Sequence, residues 1–128
     1  MSYSYNVFES TCNKNISADS AFPTLLVDPI SIPNGGHAVI LSVIACNKDG
    51  IDSYPLTLAI QKVDSSTNCM VCKEVPIPIN SVKDVFQGTK IVLNREDQFK
   101  AWTSPQGFEK IDLTVSYAIY TPSSLSTC

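Results

Sequence analysis

The ten residues from Ile111 to Tyr120, Ile-Asp-Leu-Thr-Val-Ser-Tyr-Ala-Ile-Tyr, alternate apolar with polar or small side chains at period two. This is the pattern of a β-strand with one buried and one exposed face. Several other segments carry the same signature at short intervals, and no stretch sustains a helical period, so the chain is expected to be all-β. The connections are too short to hold crossover helices, which excludes a parallel sheet. An antiparallel Ig-like β-sandwich is the economical solution, with a jelly roll as the alternative.

The individual strands can be placed. Residues 1–28 are read as an N-terminal arm: Tyr3, Tyr5, Val7 and Phe8 form at most a short strand, and a polar stretch follows from Ser10 to Ser20. At the end of this arm Phe22 to Pro29 reads as a short strand with prolines at its margins, where a missing backbone donor does least harm. Pro33-Asn34-Gly35-Gly36 is the strongest turn signal, since paired glycines permit positive φ. His37 to Asn47 is apolar at both phases, which predicts a central strand buried on both faces. Tyr54 to Val63 and Cys69 to Val75 flank a polar loop and form a hairpin. Short strands follow at Val82 to Phe86, Lys90 to Leu93 and Gln98 to Trp102, before the final strand. The sandwich domain is thus assigned to 29–121 and a flexible C-terminal tail to 122–128.

Composition narrows the functions. A chain of 128 residues can bury one core without disulfides or metal. Only 16% of residues are charged, against a usual ~25%, so much of the surface is uncharged, as suits a face covered by a partner. The net charge of -3 and the lack of a basic run argue against nucleic acid as a partner. The longest apolar run, Ala38 to Cys46, is too short to span a bilayer, so no membrane partner is expected. The first residues lack the features of an export signal, so the chain is expected to be kept in a cytoplasm with its thiols reduced.

No constellation of catalytic type stands out, and the chain is not expected to be an enzyme. Cys69-Met70-Val71-Cys72 has the spacing of half a zinc site. No second pair of ligands has matching spacing, and strand residues three apart point to opposite faces, so neighbouring thiols are the simpler reading. His37, the sole histidine, reads as a solvated turn residue. Glu96 and Asp97 read as a turn formed through the Asp side chain rather than an acid/base pair. No cofactor or metal is expected. Trp102 lies out of phase with Phe99 and Ala101, so it faces solvent or a partner unless a bulge returns it to the core. Tyr120 holds the outward phase of the last strand. With Tyr3, Tyr5 and Phe8 of the arm, these are the candidate partner-binding residues.

The motifs occur in a recognisable order. Pro33-Asn34-Gly35-Gly36 precedes the long apolar strand. Next come Thr57-Leu58-Ala59-Ile60-Gln61-Lys62-Val63-Asp64 and Lys73-Glu74-Val75-Pro76-Ile77-Pro78. The corner Leu93-Asn94-Arg95-Glu96-Asp97-Gln98-Phe99 runs on to Trp102, and Ile111 to Tyr117 closes the series. In this order the chain resembles small β-sandwich virion proteins of tailed bacteriophages over roughly Ile30 to Tyr120. The resemblance implies a structural protein of the virion, made in the host cytoplasm. Most directly it implies a capsid decoration (cement) protein that binds the major capsid protein as a homo-oligomer, a trimer being favoured. A ring-forming neck, tail or fibre-base protein, and a free glycan- or protein-binding module, are the alternatives. On the decoration reading, deleting Met1 to Ser20 is expected to remove assembly and leave the sandwich folded.

Overall fold

The computed structural model of the protein describes residues 5–28, 32–86 and 90–121. Among the described residues nine strands run in chain order: β1 (Tyr5–Asn13), β2 (Thr24–Val27), β3 (His37–Asn47), β4 (Tyr54–Gln61), β5 (Asn68–Ile77), β6 (Val82–Asp84), β7 (Ile91–Asn94), β8 (Gln98–Thr103) and β9 (Ile111–Thr121). A 3-10 turn at Pro105–Gly107 lies between the last two.

The strands form two antiparallel sheets. Sheet A has the order β1-β9-β3-β6, with β7 beside β6 on the same edge of β3, and sheet B has the order β2-β8-β4-β5. The pairs β1 with β9, β2 with β8, β3 with β6 and β7, and β4 with β5 are all antiparallel. They nest like the arms of one long hairpin. Rolling that hairpin over brings β9 against β3 and β8 against β4. This is the connectivity of a jelly roll, in which paired strands are shared between two sheets. The expected all-β antiparallel sandwich is therefore present. Of the two connectivities considered, the strand order is the jelly roll rather than the Ig-like one.

The core fills the space between the sheets. Ile111, Leu113, Val115, Tyr117 and Ile119 of β9 meet Leu56, Leu58 and Ile60 of β4 and Phe99 and Ala101 of β8 in one cluster. Phe86 closes it from the sheet A edge, with its ring 6.1 Å from that of Phe99. The alternation of β9 maps directly on this arrangement, since its odd-numbered residues from Ile111 to Ile119 are all buried.

Two expectations are corrected. The first concerns the arm. Tyr5 to Asn13 pairs residue by residue with Thr121 to Leu113 without a register shift, so β1 is a full strand of sheet A. Glu9, Thr11 and Asn13 at its inward phase are polar, which hides the period-two signal, but they are bonded. Glu9 accepts a hydrogen bond from the Tyr117 hydroxyl at 3.0 Å, and Thr11 donates to the Leu26 carbonyl at 3.2 Å. Beyond β1, Ile16 is fully buried and its N–H donates to Ile111 O at 2.8 Å. Ser17 O accepts from Thr103 N at 2.8 Å. Removing Met1 to Ser20 would thus take away an outer strand and a core plug, not a detachable arm. Residues 1–4 and the expected tail, 122–128, lie outside the described residues.

The second correction concerns β3. Ile40 faces Tyr117 while Ser42 faces Ser116, so Leu41 is an extra residue, a β-bulge. Before the bulge the even residues Ala38 and Ile40 point inward, and after it the odd residues Val43, Ala45 and Asn47 do. The apolar character of both phases comes from this change of phase. Among the described residues no further layer covers the outer face of β3: Ile44 is 37% exposed.

Candidate assembly face

Because side chains across a sheet lie in rows, the pairing registers define the outer face of sheet A. Phe8, Ala118, Val39 and Val92 form one row from β1 to β7. Phe8 is 74% exposed and Val92 50%. In the adjacent row Tyr120 lies opposite His37, their rings stacked with centroids 5.4 Å apart. On the other side Ser10, Ser116 and Ser42 form a hydroxyl row, and Cys12, Thr114 and Ile44 the next. Across β1, β9 and β3 these four rows contain no Asp, Glu, Lys or Arg. On β6, Asp84 stands opposite Ile44 in the last of these rows, and at the far end of the face Asp112 pairs with Lys48 at 3.0 Å.

Beside this face runs the outer edge of β1, which pairs with no other strand among the described residues. A sheet edge offers unpaired backbone donors and acceptors to any strand that approaches, and monomeric proteins guard against this with short strands, bulges, prolines or charge. The other described edges are guarded. On sheet B, β2 has only four residues, and β5 has two register shifts and Pro76. The opposite edge of sheet A is divided between β6 and β7. β1 has nine residues in unbroken register, no proline, and Glu9 as its one charged residue.

The candidate partner-binding residues divide between the faces. Phe8 and Tyr120 meet on the outer face of sheet A. Tyr5 lies at the start of β1 opposite Thr121, and Tyr3 lies outside the described residues. Trp102 is on the other side of the molecule: Phe99, Ala101 and Thr103 point inward, and the half-buried Trp102 sits on the outer face of sheet B opposite Thr57. Val39, Val92 and Ile44 were not singled out in the sequence, since an apolar residue outside a bulged strand reads there as core.

The remaining polar groups are structural. At the β7–β8 corner the Asp97 carboxylate, 1% exposed, accepts from Lys62 Nζ at 2.9 Å, Asn94 N at 2.9 Å and Val63 N at 3.1 Å. Burial alone would raise this carboxyl, but the Lys62 ammonium and the two amides outweigh it and hold the pKa below the ordinary value. The turn reading of Asp97 agrees with this geometry. Tyr54 donates to Asp49, and this bond, with burial and the nearby carboxylates adding to it, pushes the phenol up to about 12. Burial and the bond to Glu9 push Tyr117 up to about 12 as well. Asn47 is buried and satisfied, its amide donating to Asp52 O and Ile77 O at 3.0 Å each.

The two thiols of the C-x-x-C sit differently from expectation. Leu58 faces Cys72 and Ala59 faces Met70, so Val71 is a bulge residue. Cys69 and Cys72 then lie opposite Ile60 and Leu58, on one face. Cys69 is exposed, while Cys72 is half-buried and its thiol is pushed up by burial. Among the described residues no group of three or more His, Cys, Asp or Glu is placed to hold a metal ion.

No family model matches the sequence, and no curated protein matches it. Solved structures do. A chain of Bacillus endospore appendages, described as a family of disulfide-linked pili, is 15% identical over 95% of this chain and 92% of its own, with a TM-score of 0.49. The Tobacco streak virus coat protein is 10% identical over 96% of this chain and 90% of its own, also at 0.49. A chain of the infectious bursal disease virus Gx strain is 9% identical over 99% of this chain and 38% of its own, at 0.39. The structural neighbours thus include viral capsid and pilus proteins, at a similarity too low to assign a function.

Proposed function

We propose that the protein is a structural subunit of a virion that works by assembly, most directly a capsid decoration protein that binds and stabilises the shell of a tailed phage. The observation that carries this reading is the long, unguarded edge of β1 beside the four uncharged rows that β1, β9 and β3 place on the outer face of sheet A. Such an edge accepts a strand from another chain, and the neighbouring Phe8, Val39, Val92 and Tyr120 supply apolar area around it. The order of sequence motifs that resembles phage virion proteins supports the setting. In it the partners are other copies of the chain, favoured as a trimer, and the major capsid protein.

The test is the number of copies per purified particle, measured by quantitative mass spectrometry against the major shell protein. A ratio comparable to that of the shell subunit is expected. A small number matching a single ring would replace the decoration role with one in the neck, tail or fibre base, and absence from particles would refute the virion reading.

A further inference from the structure

On the outer face of sheet B, opposite the proposed assembly face, two adjoining depressions share Pro55 and Ser104. The larger, about 490 Å³, is lined by Asp52, Ser53, Tyr54 and Gln106 in addition to the shared pair. The smaller, about 60 Å³, lies between Trp102, Thr57 and Glu74. Together they make an open groove with an indole at one end and carboxylate, hydroxyl and amide groups along its length.

We infer that this groove is a binding site for neutral oligosaccharides. Its chemistry matches a sugar chain in three respects. An aromatic ring set on a sheet offers a flat apolar surface to the C–H face of a pyranose ring, while carboxylates and amides take the hydroxyls that ring its rim. Neither depression is lined by Lys or Arg, and Asp52 and Glu74 repel anions, so sulfated and sialylated sugars, phosphates and peptide carboxylates are disfavoured. The two depressions are open and adjoin at Pro55 and Ser104, which suits more than one unit of a sugar chain rather than an enclosed small molecule.

The walls are fixed in advance, which lowers the ordering cost of binding. Thr103 Oγ1 donates to Pro55 O at 2.7 Å, tying β8 to β4 beneath the groove. Glu74 is held at a φ of 54° with its N–H donating to Thr57 Oγ1 at 3.1 Å. The 3-10 turn carrying Gln106 is pressed against the end of β8, where a Cβ on Gly107 would come within 2.6 Å of Thr103 Oγ1. This inference rests on the groove alone and holds whether or not the protein belongs to a virion.

The full chain can be tested on an array of neutral, sialylated and sulfated oligosaccharides, followed by titration with the best-retained neutral sugar. Trp102 is the sole tryptophan, so its emission reports occupancy directly. Retention of neutral sugars, a saturable change in that emission, and a loss of about tenfold or more in affinity for Trp102→Ala and for Glu74→Lys are expected. The Glu74 side chain is exposed, so its replacement keeps the fold. No retention of any neutral sugar, equal retention by both variants, or a preference for anionic sugars would each overturn the inference.

Discussion

Asp97 shows how one buried side chain fixes a corner. Its carboxylate joins the β7–β8 turn to the end of β4 through bonds to Asn94, Val63 and Lys62. With Ala at this position two backbone N–H groups and the Lys62 ammonium lose their carboxylate acceptor, and a hydrogen bond to a charged group contributes about 1.5–3 kcal/mol. Asp97→Ala is therefore expected to destabilise the fold by about 2–3 kcal/mol in a denaturant titration at neutral pH. The folded-state pKa is depressed, so the contribution is present above the unfolded carboxylate value of about 4 and is lost as pH falls through the folded one. The gap between wild type and variant should narrow in acid below about pH 4; a gap independent of pH would contradict the arrangement. That Asp97 shapes a turn was legible from its place between two strands. Its partner Lys62 was not, because nothing local links residues 35 apart.

Among the elements, the bounds of the strongly apolar strands were legible nearly to the residue, as His37–Asn47 and Ile111–Thr121 show. Errors arose where one residue is inserted or where a buried position is polar. The bulge at Leu41 reverses the phase of the rest of β3 and that at Val71 reverses β5 as far as its second register shift, and a bulge has no signal when the inserted residue is as apolar as its neighbours. Only the start of β1 was legible, as a short strand through Tyr5 and Phe8, since beyond it Glu9 and Thr11 occupy inward positions at the margin of the sheet. The corrected role of β1 changes what truncation does. Deleting residues 1–20 would expose the edge of β9 and leave the space of Ile16 empty, and losing a buried aliphatic side chain alone costs about 2–5 kcal/mol. With the strand gone too, the loss approaches the whole stability of an ordinary domain. The truncated chain is expected to lack a cooperative thermal transition by circular dichroism; a retained transition would show that β1 is dispensable.

For the whole molecule, an all-β sandwich was legible because many short alternating segments with brief connections admit little else. The choice between Ig-like and jelly-roll connectivity was not, because both thread such strands through loops of the same lengths, and the deciding pairs are far apart, as β1 and β9 are. For the same reason the sequence could not place Phe8 with Tyr120 or set Trp102 on the opposite side. Only the rolling of the hairpin puts the first pair on the outside of sheet A and the tryptophan on the outside of sheet B.

The outermost pair of that rolled hairpin has a consequence of its own. Tyr5 stands opposite Thr121, within about 5 Å between Cα atoms for such partners, so the chain is close to a closed ring. A ring can be opened elsewhere. Joining these two positions with a short linker and cutting in the exposed loop between Asp64 and Thr67 should give a permuted protein that folds with a thermal midpoint close to that of the original, measured by circular dichroism. Failure to fold would count against the β1–β9 pairing. Cargo joined at Tyr5 or Thr121 would leave from one corner of sheet A, and cargo joined at the permuted break would leave from the loop joining β4 to β5 instead. A single linker thus decides which part of the surface displays what the protein carries.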